Sequence, residues 1–389
     1  MYPRILKAEL LTSSKNYPVV TLLGPRQSGK TTLACATFPK KKYISLEDLD
    51  LRELAASDPR GFLSTIDPAQ GAILDEIQRV PELLSYIQSR VDKNKKMGEF
   101  ILTGSAQFQL HEGISQSLAG RTAITKLLPL SIPELGLSSK TISEEELIFK
   151  GFFPAVYDRN LDPTRAYRNY FETYVEKDVR LIKNIENLAA FQKFVRLLAG
   201  RIGSVYNMDS IASEIGVSQP TIRSWTCVLE TSFILFFLQP FHSNFSKRLV
   251  KRPKLYFYDV GLATYLLGIE KISQLKRDPL YGSLFENLVV TEALKERYNK
   301  GLDSNLYFFR DSHGNEVDLI LKRGNELVPI EIKSGATFHK DFLKGIEYFK
   351  KLKSLRILPG AVIYAGQEEQ KIGNTQLLNY KKTAQFCGR

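Results

Sequence analysis

Cysteine is scarce in this chain. Its three cysteines, Cys35, Cys227 and Cys387, are too few and too scattered for a disulfide framework or a zinc site, which excludes the small secreted scaffolds and fits a reducing cytoplasm. Long apolar runs are missing too. The longest, Phe233 to Leu238, is far short of the ~20 residues that cross a bilayer. The opening residues, Met1 to Leu11, mix Arg4, Lys7 and Glu9 among apolar ones and do not resemble a signal peptide. There is no internal repeat and no low-complexity tract. A soluble, cytoplasmic protein with no membrane partner is expected. What is present is 43% hydrophobic residues over 389, room for two or three domains with cores, and a formal charge of +12 that points towards polyanions.

The most informative stretch is Gly24-Pro25-Arg26-Gln27-Ser28-Gly29-Lys30-Thr31, which matches G-x-x-x-x-G-K-[ST], the loop that binds nucleotide phosphates. Val19 to Leu23 before it is apolar and β-branched, a strand; Thr32 to Ala36 after it reads as a helix start. Gly24 and Gly29 let the backbone curl so that its N–H groups face phosphate, Lys30 reaches the β- and γ-phosphates, and the Thr31 hydroxyl is the expected magnesium ligand. The nucleotide set is thus Gly24 through Thr32. The chemistry predicts ATP or GTP with Mg²⁺.

A carboxylate motif follows. Gly71 to Leu74 is an apolar strand ending in Asp75 and Glu76; Asp75 would hold magnesium through water and Glu76 would orient the attacking water. A third strand, Phe100 to Ser105, ends in hydroxyl residues, the place where ATPases of the AAA class, which these motifs resemble, put a polar sensor of the γ-phosphate or the attacking water; by that resemblance Thr103 or Ser105 is the candidate. Ser117 to Arg121 closes a helix ahead of another strand, Ile124 to Leu128. The same resemblance to the AAA class implies that Arg121 is an arginine finger reaching a neighbouring subunit's nucleotide, the alternative being an ordinary cation at a helix C-terminus.

These motifs resemble a family of prokaryotic AAA-type ATPases with an uncharacterised C-terminal region, carried by GPRQSGKTTLA, LEDLDLRELAASDPRGFL, ILDEIQRVPELL, ILTGSAQF, LAGRTAITKLLPLS and KLYFYDVGLATYLLG. The resemblance covers nearly the whole chain and mainly implies architecture.

Between Gly151 and Gly200 the pattern is helical, and Tyr167, Tyr170, Phe171 and Tyr174 read as core. From Met208 to Glu230 it is helix, turn, helix: Gly216 permits the turn, Ser218 caps a helix with Pro220 in its first turn, and Ile222, Trp225 and Leu229 face inward. That leaves Gln219, Thr221 and Arg223 outward. A strand at Phe233 to Leu238, a basic loop with Lys247, Arg248, Lys251, Arg252 and Lys254, and a strand at Leu255 to Tyr258 complete the likeness to a winged helix, with DNA contact through Gln219, Thr221, Arg223, Lys247, Arg248, Lys251 and Arg252. Winged helices also serve as packing modules or lids.

The last segment holds a second constellation. A helix over Ser283 to Arg297 carries Glu286; strands follow at Tyr307 to Phe309, Glu316 to Leu321 and Leu327 to Lys333, the last two joined by a turn at Arg323-Gly324-Asn325. Alternation puts Glu331 and Lys333 on one face. Asp318 with Glu331-x-Lys333 resembles the PD-(D/E)XK nuclease core. The resemblance implies metal ligation by Asp318 and Glu331 with the Ile332 carbonyl, Lys333 as the catalytic lysine, and Glu286 as the helix-borne acid. Val317 stands where the motif's name has proline, and Glu316 adds an acid of no assigned role. A solvated hairpin with alternating charges, or a nuclease relic that only binds, gives the same pattern.

The expectation is an α/β protein in three parts: an AAA-type P-loop ATPase domain at 1–135, a helical and winged-helix domain at 136–270, and a PD-(D/E)XK-like α/β domain at 271–389. It would hydrolyse ATP and act on DNA as a homo-oligomer. The alternative is a nucleotide-controlled protein-interaction switch.

Overall fold

A strand buried on both faces is built mainly from apolar and β-branched residues, and Val19-Val20-Thr21-Leu22-Leu23 fits, with the buried Thr21 hydroxyl hydrogen-bonded to that of Thr122 at 3.0 Å; it forms β1 (Val19–Leu23), every residue buried. In the computed structural model four strands lie parallel to it, β2 (Lys42–Ser45), β3 (Ala72–Asp75), β4 (Phe100–Gly104) and β5 (Thr122–Lys126), in the order β2-β3-β4-β1-β5. The register sets Leu22 beside Thr103 and Ser45 beside Asp75. The carboxyl ends of β1, β3 and β4 therefore come level, the place where parallel sheets present ligand-binding loops. Helix α1 (Lys7–Asn16) and helix α2 (Lys30–Thr37) cover the sheet, with Leu6, Leu10, Leu33 and Ala34 packed on Val20, Leu22, Ile73, Ile101 and Leu127.

The structure describes residues 2–105, 117–140, 142–179, 187–241, 250–352 and 356–388, without the side chains of 137–140 and 176–179. The chain divides into two compact units. One comprises Met1–Leu130 with Thr231–Phe233 and Tyr298–Leu302; the other comprises Ser131–Glu230, Ile234–Arg297 and Asp303–Arg389.

In the second unit the aromatic residues 167, 170, 171 and 174 are core, as their spacing predicts. The Phe153 ring packs at a tilt with its centroid 4.7 Å from that of Tyr170, and the Tyr170 and Tyr174 centroids lie 5.3 Å apart. Buried Asp259 ties this layer together: its carboxylate accepts from the Tyr167 hydroxyl at 2.6 Å, the Phe152 N–H at 2.8 Å and the Gly261 N–H at 2.9 Å. Helices Met208–Ile215 and Gln219–Thr231 follow, separated by Gly216 at φ +79°. Ser218 Oγ accepts from the Thr221 N–H at 3.3 Å, the predicted cap. Trp225 faces inward against Phe191 and Phe194.

The strand after these helices starts later than its sequence predicts. Phe233 sits at φ +56°, outside the extended region, so β6 runs Leu235–Pro240 and not from 233. It pairs antiparallel with β7 (Lys254–Phe257) and parallel with β8 (Leu306–Arg310). The rest of this sheet is β9 (Glu316–Arg323), β10 (Glu326–Lys333), β11 (Arg356–Ile357), β12 (Ala361–Tyr364), β13 (Gln370–Ile372) and β14 (Thr375–Asn379). The order is β13-β14-β12-β10-β9-β8-β6-β7, with β11 beside β10. Segments 136–270 and 271–389 thus contribute strands to one sheet. The β9–β10 hairpin turns at Gly324, φ +58°, as expected.

Candidate functional site

Gly24 cannot be replaced without displacing backbone, because a Cβ there would lie 2.1 Å from the Leu127 carbonyl. Gln27 at φ +62° and Gly29 at φ +89° complete the curl. Lys30 is buried, and its Nζ donates to the carbonyls of Gly24 at 3.0 Å and Pro25 at 2.8 Å. Burial pushes this amine down to about 8, against the pull of Glu76 and Asp75. Thr31 Oγ1 donates to both oxygens of Asp75, at 3.1 and 3.0 Å. The loop and the acid that sequence spacing paired are therefore in contact. Arg26, Gln27, Thr31 and Thr32 border an open cleft of about 360 Å³ that Asp75 and Glu76 also line, a size that accepts a small ligand.

Both sensor candidates touch the acids, each a different one. Thr103 Oγ1 donates to Asp75, and Ser105 Oγ donates to Glu76 Oε2 at 3.0 Å. Sequence reasoning missed two further contributors. The Tyr43 hydroxyl donates to Asp75 Oδ2 at 2.9 Å, and Gln78 Nε2 donates to Glu76 Oε2 while lying 3.3 Å from Ser105 Oγ. Gln78 follows Glu76 by two residues, a spacing that no motif marks. Tyr43 reaches Asp75 because β2 pairs with β3, which is not visible locally. Arg121 forms a bidentate pair with Asp92 of helix Leu83–Asn94, at 2.6 and 2.9 Å, and holds that carboxyl below its usual range. In this arrangement it acts as a surface ion-pair partner.

Of the residues read as DNA-contacting, Gln219, Arg223, Lys251 and Arg252 are exposed and Thr221 is half-buried. Gln219 Nε2 donates to one oxygen of Asp209, and Arg252 lies 3.6 Å from the other. The helix and the strand-entry residue thus meet at one acid. Lys247 and Arg248 lie outside the described residues.

The C-terminal constellation also assembles. Asp318 Oδ2 accepts from the Ile332 N–H at 2.8 Å and from Lys333 Nζ at 3.0 Å, and Lys333 Nζ is 2.5 Å from Glu331 Oε2. Glu331 Oε1 is buried without a hydrogen-bond partner and abuts Gly345, where a Cβ would sit 1.9 Å away. Burial and then the Asp318 charge push Glu331 up to about 9. Burial works against the Asp318 charge too, but Lys333 and Lys254 hold that carboxyl below its usual range. Glu286 contacts neither of these acids directly in the hydrogen-bond network. It accepts from Tyr256 at 2.5 Å and from Lys254 at 2.9 Å, and Lys254 lies 2.5 Å from Glu316. Lys254, which the sequence places in a basic loop, is instead buried between two acids at the start of β7. Among the described residues no three Asp, Glu, His or Cys side chains gather into a set that could hold a metal ion.

Residues 16–136 match the family model of an AAA domain; residues 141–273 and 281–383 match two domains of unknown function, DUF8612 and DUF4143. The chain is 29% identical over 375 residues to the uncharacterized protein Rv2008c of Mycobacterium tuberculosis, covering 95% of this chain and 81% of the relative. It is 25% identical to the uncharacterized protein MJ1637 of Methanocaldococcus jannaschii, over 87% of this chain and 80% of the relative. Among solved structures it is similar to the Walker-type ATPase PABY2304 of Pyrococcus abyssi, at 18% identity and a TM-score of 0.46 over 68% of this chain and 96% of that one. The RuvB Holliday junction branch migration motor of Thermotoga maritima aligns at 20% identity and a TM-score of 0.31, over 59% and 88%. No helix among the described residues is long and apolar enough to cross a membrane. The parallel sheet, the assembled phosphate loop and the matched domain together make the N-terminal region a P-loop ATPase domain of AAA type.

Proposed function

We propose that this chain hydrolyses ATP at the Lys30–Thr31–Asp75–Glu76 site and uses the cycle to act on DNA. The observation that carries the first half is the contact of Thr31 with Asp75, which brings together the hydroxyl and the carboxylate that a nucleotide-bound Mg²⁺ would use. Bound Mg²⁺ would supply charge neutralisation at the phosphates. Lys30 would leave its two loop carbonyls for the phosphate oxygens, and Glu76, steadied by Ser105 and Gln78, would orient the attacking water. Support for DNA comes from the charge of +12 and from the exposed Gln219, Arg223, Lys251 and Arg252. The same reading gives the Asp318–Glu331–Lys333 cluster to a phosphodiester, with the two carboxylates holding a cation in place of the Lys333 ammonium and the buried free oxygen of Glu331 turned to use.

Phosphate release measured with single-stranded, double-stranded and branched DNA tests the proposal. Turnover should rise with at least one of them. ATPase activity that no DNA changes, with no DNA bound in a titration, would leave a nucleotide-controlled protein-interaction switch as the reading.

A further inference from the structure

The residues ahead of the first helix reach the back of the phosphate loop. Leu6 and Leu10 are fully buried among Val20, Leu22 and Leu33, so the chain two residues earlier has a fixed origin. From there the Arg4 guanidinium extends in two directions: Nη1 donates to the Ser28 carbonyl and Nη2 to the Leu128 carbonyl, each at 2.6 Å. Neither bond is part of the phosphate-loop motif, and no spacing rule singles out Arg4.

The geometry of a peptide unit gives the first bond a consequence. In a trans peptide the carbonyl and the following N–H point in opposite directions. A guanidinium that fixes the Ser28 carbonyl therefore also fixes the direction of the Gly29 N–H, one of the donors that a phosphate loop offers, beside the cavity that Gly29, Lys30 and Thr31 line. A charge-assisted bond to the carbonyl also polarises the unit and strengthens its N–H as a donor. Gly29 at φ +89° has no side chain to hold its own orientation. The second bond braces the same guanidinium on Leu128, next to Leu127, whose carbonyl lies against Gly24 at the start of the loop. One side chain thus ties the loop to the segment just after β5.

We propose that Arg4 is a positioning residue for phosphate recognition, presetting the Ser28–Gly29 peptide so that its N–H meets the nucleotide's phosphates without reorganisation. This rests on the nucleotide-binding reading of the loop. The ligand feature it serves is the pyrophosphate portion, whatever the base.

Calorimetric titration of the full chain with ATP and with inorganic pyrophosphate, for wild type, Arg4→Gln and Arg4→Lys, tests it alongside a melting curve for each. Arg4→Gln should weaken ATP and pyrophosphate by the same factor, about tenfold or more for a lost charge-assisted bond. In turnover it should raise KM with kcat within about twofold. Arg4→Lys, whose ammonium serves one carbonyl at a time, should fall between, and it takes over the comparison if Arg4→Gln does not fold. Wild-type affinity for both ligands in the folded variants overturns the proposal. So does a loss that follows only the fraction of protein unfolded. A wild-type protein that binds neither ligand would instead remove the nucleotide reading itself, and the proposal with it.

Discussion

Lys30 and Glu76 act at different moments of one reaction, and substitution should separate them. Lys30 is the buried cation of the loop, so Lys30→Ala should abolish nucleotide binding in a calorimetric titration; unchanged affinity would refute the site. Glu76 acts on water, so Glu76→Gln should keep nucleotide affinity and lose turnover by about a hundredfold or more. Gln78→Ala removes a donor to Glu76 and should lower kcat while leaving the dissociation constant of ATP alone. An equal change in both would mean that Gln78 serves binding instead. At this scale the sequence was legible wherever partners lie within one motif or at the ends of adjacent parallel strands. Gly24 to Thr32, Asp75 and the hydroxyls of Thr103 and Ser105 were named in that way, and in the structure Thr31 and Thr103 meet Asp75 while Ser105 meets Glu76. Tyr43, Arg4 and Lys254 were not named, because each reaches its partner across strands or from a distant segment, and neither was Gln78, which stands two residues from Glu76 at a spacing that no motif marks.

Elements were legible when a periodicity met a turn residue. The helix pair at 208–231 follows from its apolar face, Gly216 and the Ser218 cap, and the β9–β10 hairpin from alternation and Gly324. What periodicity does not carry is the join between elements, and Asp259 is the clearest such join. Its carboxylate caps helix Val260–Leu266 and takes the Tyr167 hydroxyl and the Phe152 N–H. Asp259→Ala would strand these buried donors, and a loss of about 3 kcal/mol is expected in urea unfolding, from a lost cap plus unsatisfied groups. A cost under about 1 kcal/mol would show that the layer does not depend on it. Burial raises the Asp259 carboxyl above its usual range, although Tyr167 and Lys295 pull the other way. A folded value above the unfolded one means that the folded state holds the proton more tightly. The stability contributed by protonated Asp259 is then fully present below the unfolded value and is lost as pH rises through the folded one. Asp259→Asn should flatten that part of the stability-versus-pH curve. An unchanged slope would assign the pH dependence to other groups.

For the whole molecule, the continuous sheet from β7 to β13 brings a lysine of the middle segment into the acid cluster of the C-terminal one, since Lys254 bridges Glu286 and Glu316. DNA held by Lys251 and Arg252 would enter three residues from that lysine. If those two cations contact phosphates, changing both to Ala should flatten the salt dependence of DNA binding by roughly 0.9 log unit per lost contact. An unchanged slope would move the contact elsewhere. Subunit association bears on Arg121: should it leave Asp92 to serve a neighbour's nucleotide, mixing Arg121→Ala with Glu76→Gln would restore some hydrolysis, and no rescue from a monomeric mixture would fix it as a surface pair. The cluster itself gives the sharpest test. Asp318, Glu331 and Lys333 bring two carboxyl groups and one ammonium together with a buried oxygen unsatisfied, and a divalent cation between the acids would favour their ionised forms, satisfy that oxygen and release the ammonium towards a phosphate. With Mg²⁺ or Mn²⁺ the protein should cleave linear, nicked or branched DNA, and Asp318→Asn and Lys333→Ala should abolish cleavage while their melting curves show folded protein. If no substrate is cut with either metal, with or without ATP, and calorimetry detects no metal bound to the wild type, the lysine is the resident cation and the domain's role is to grip.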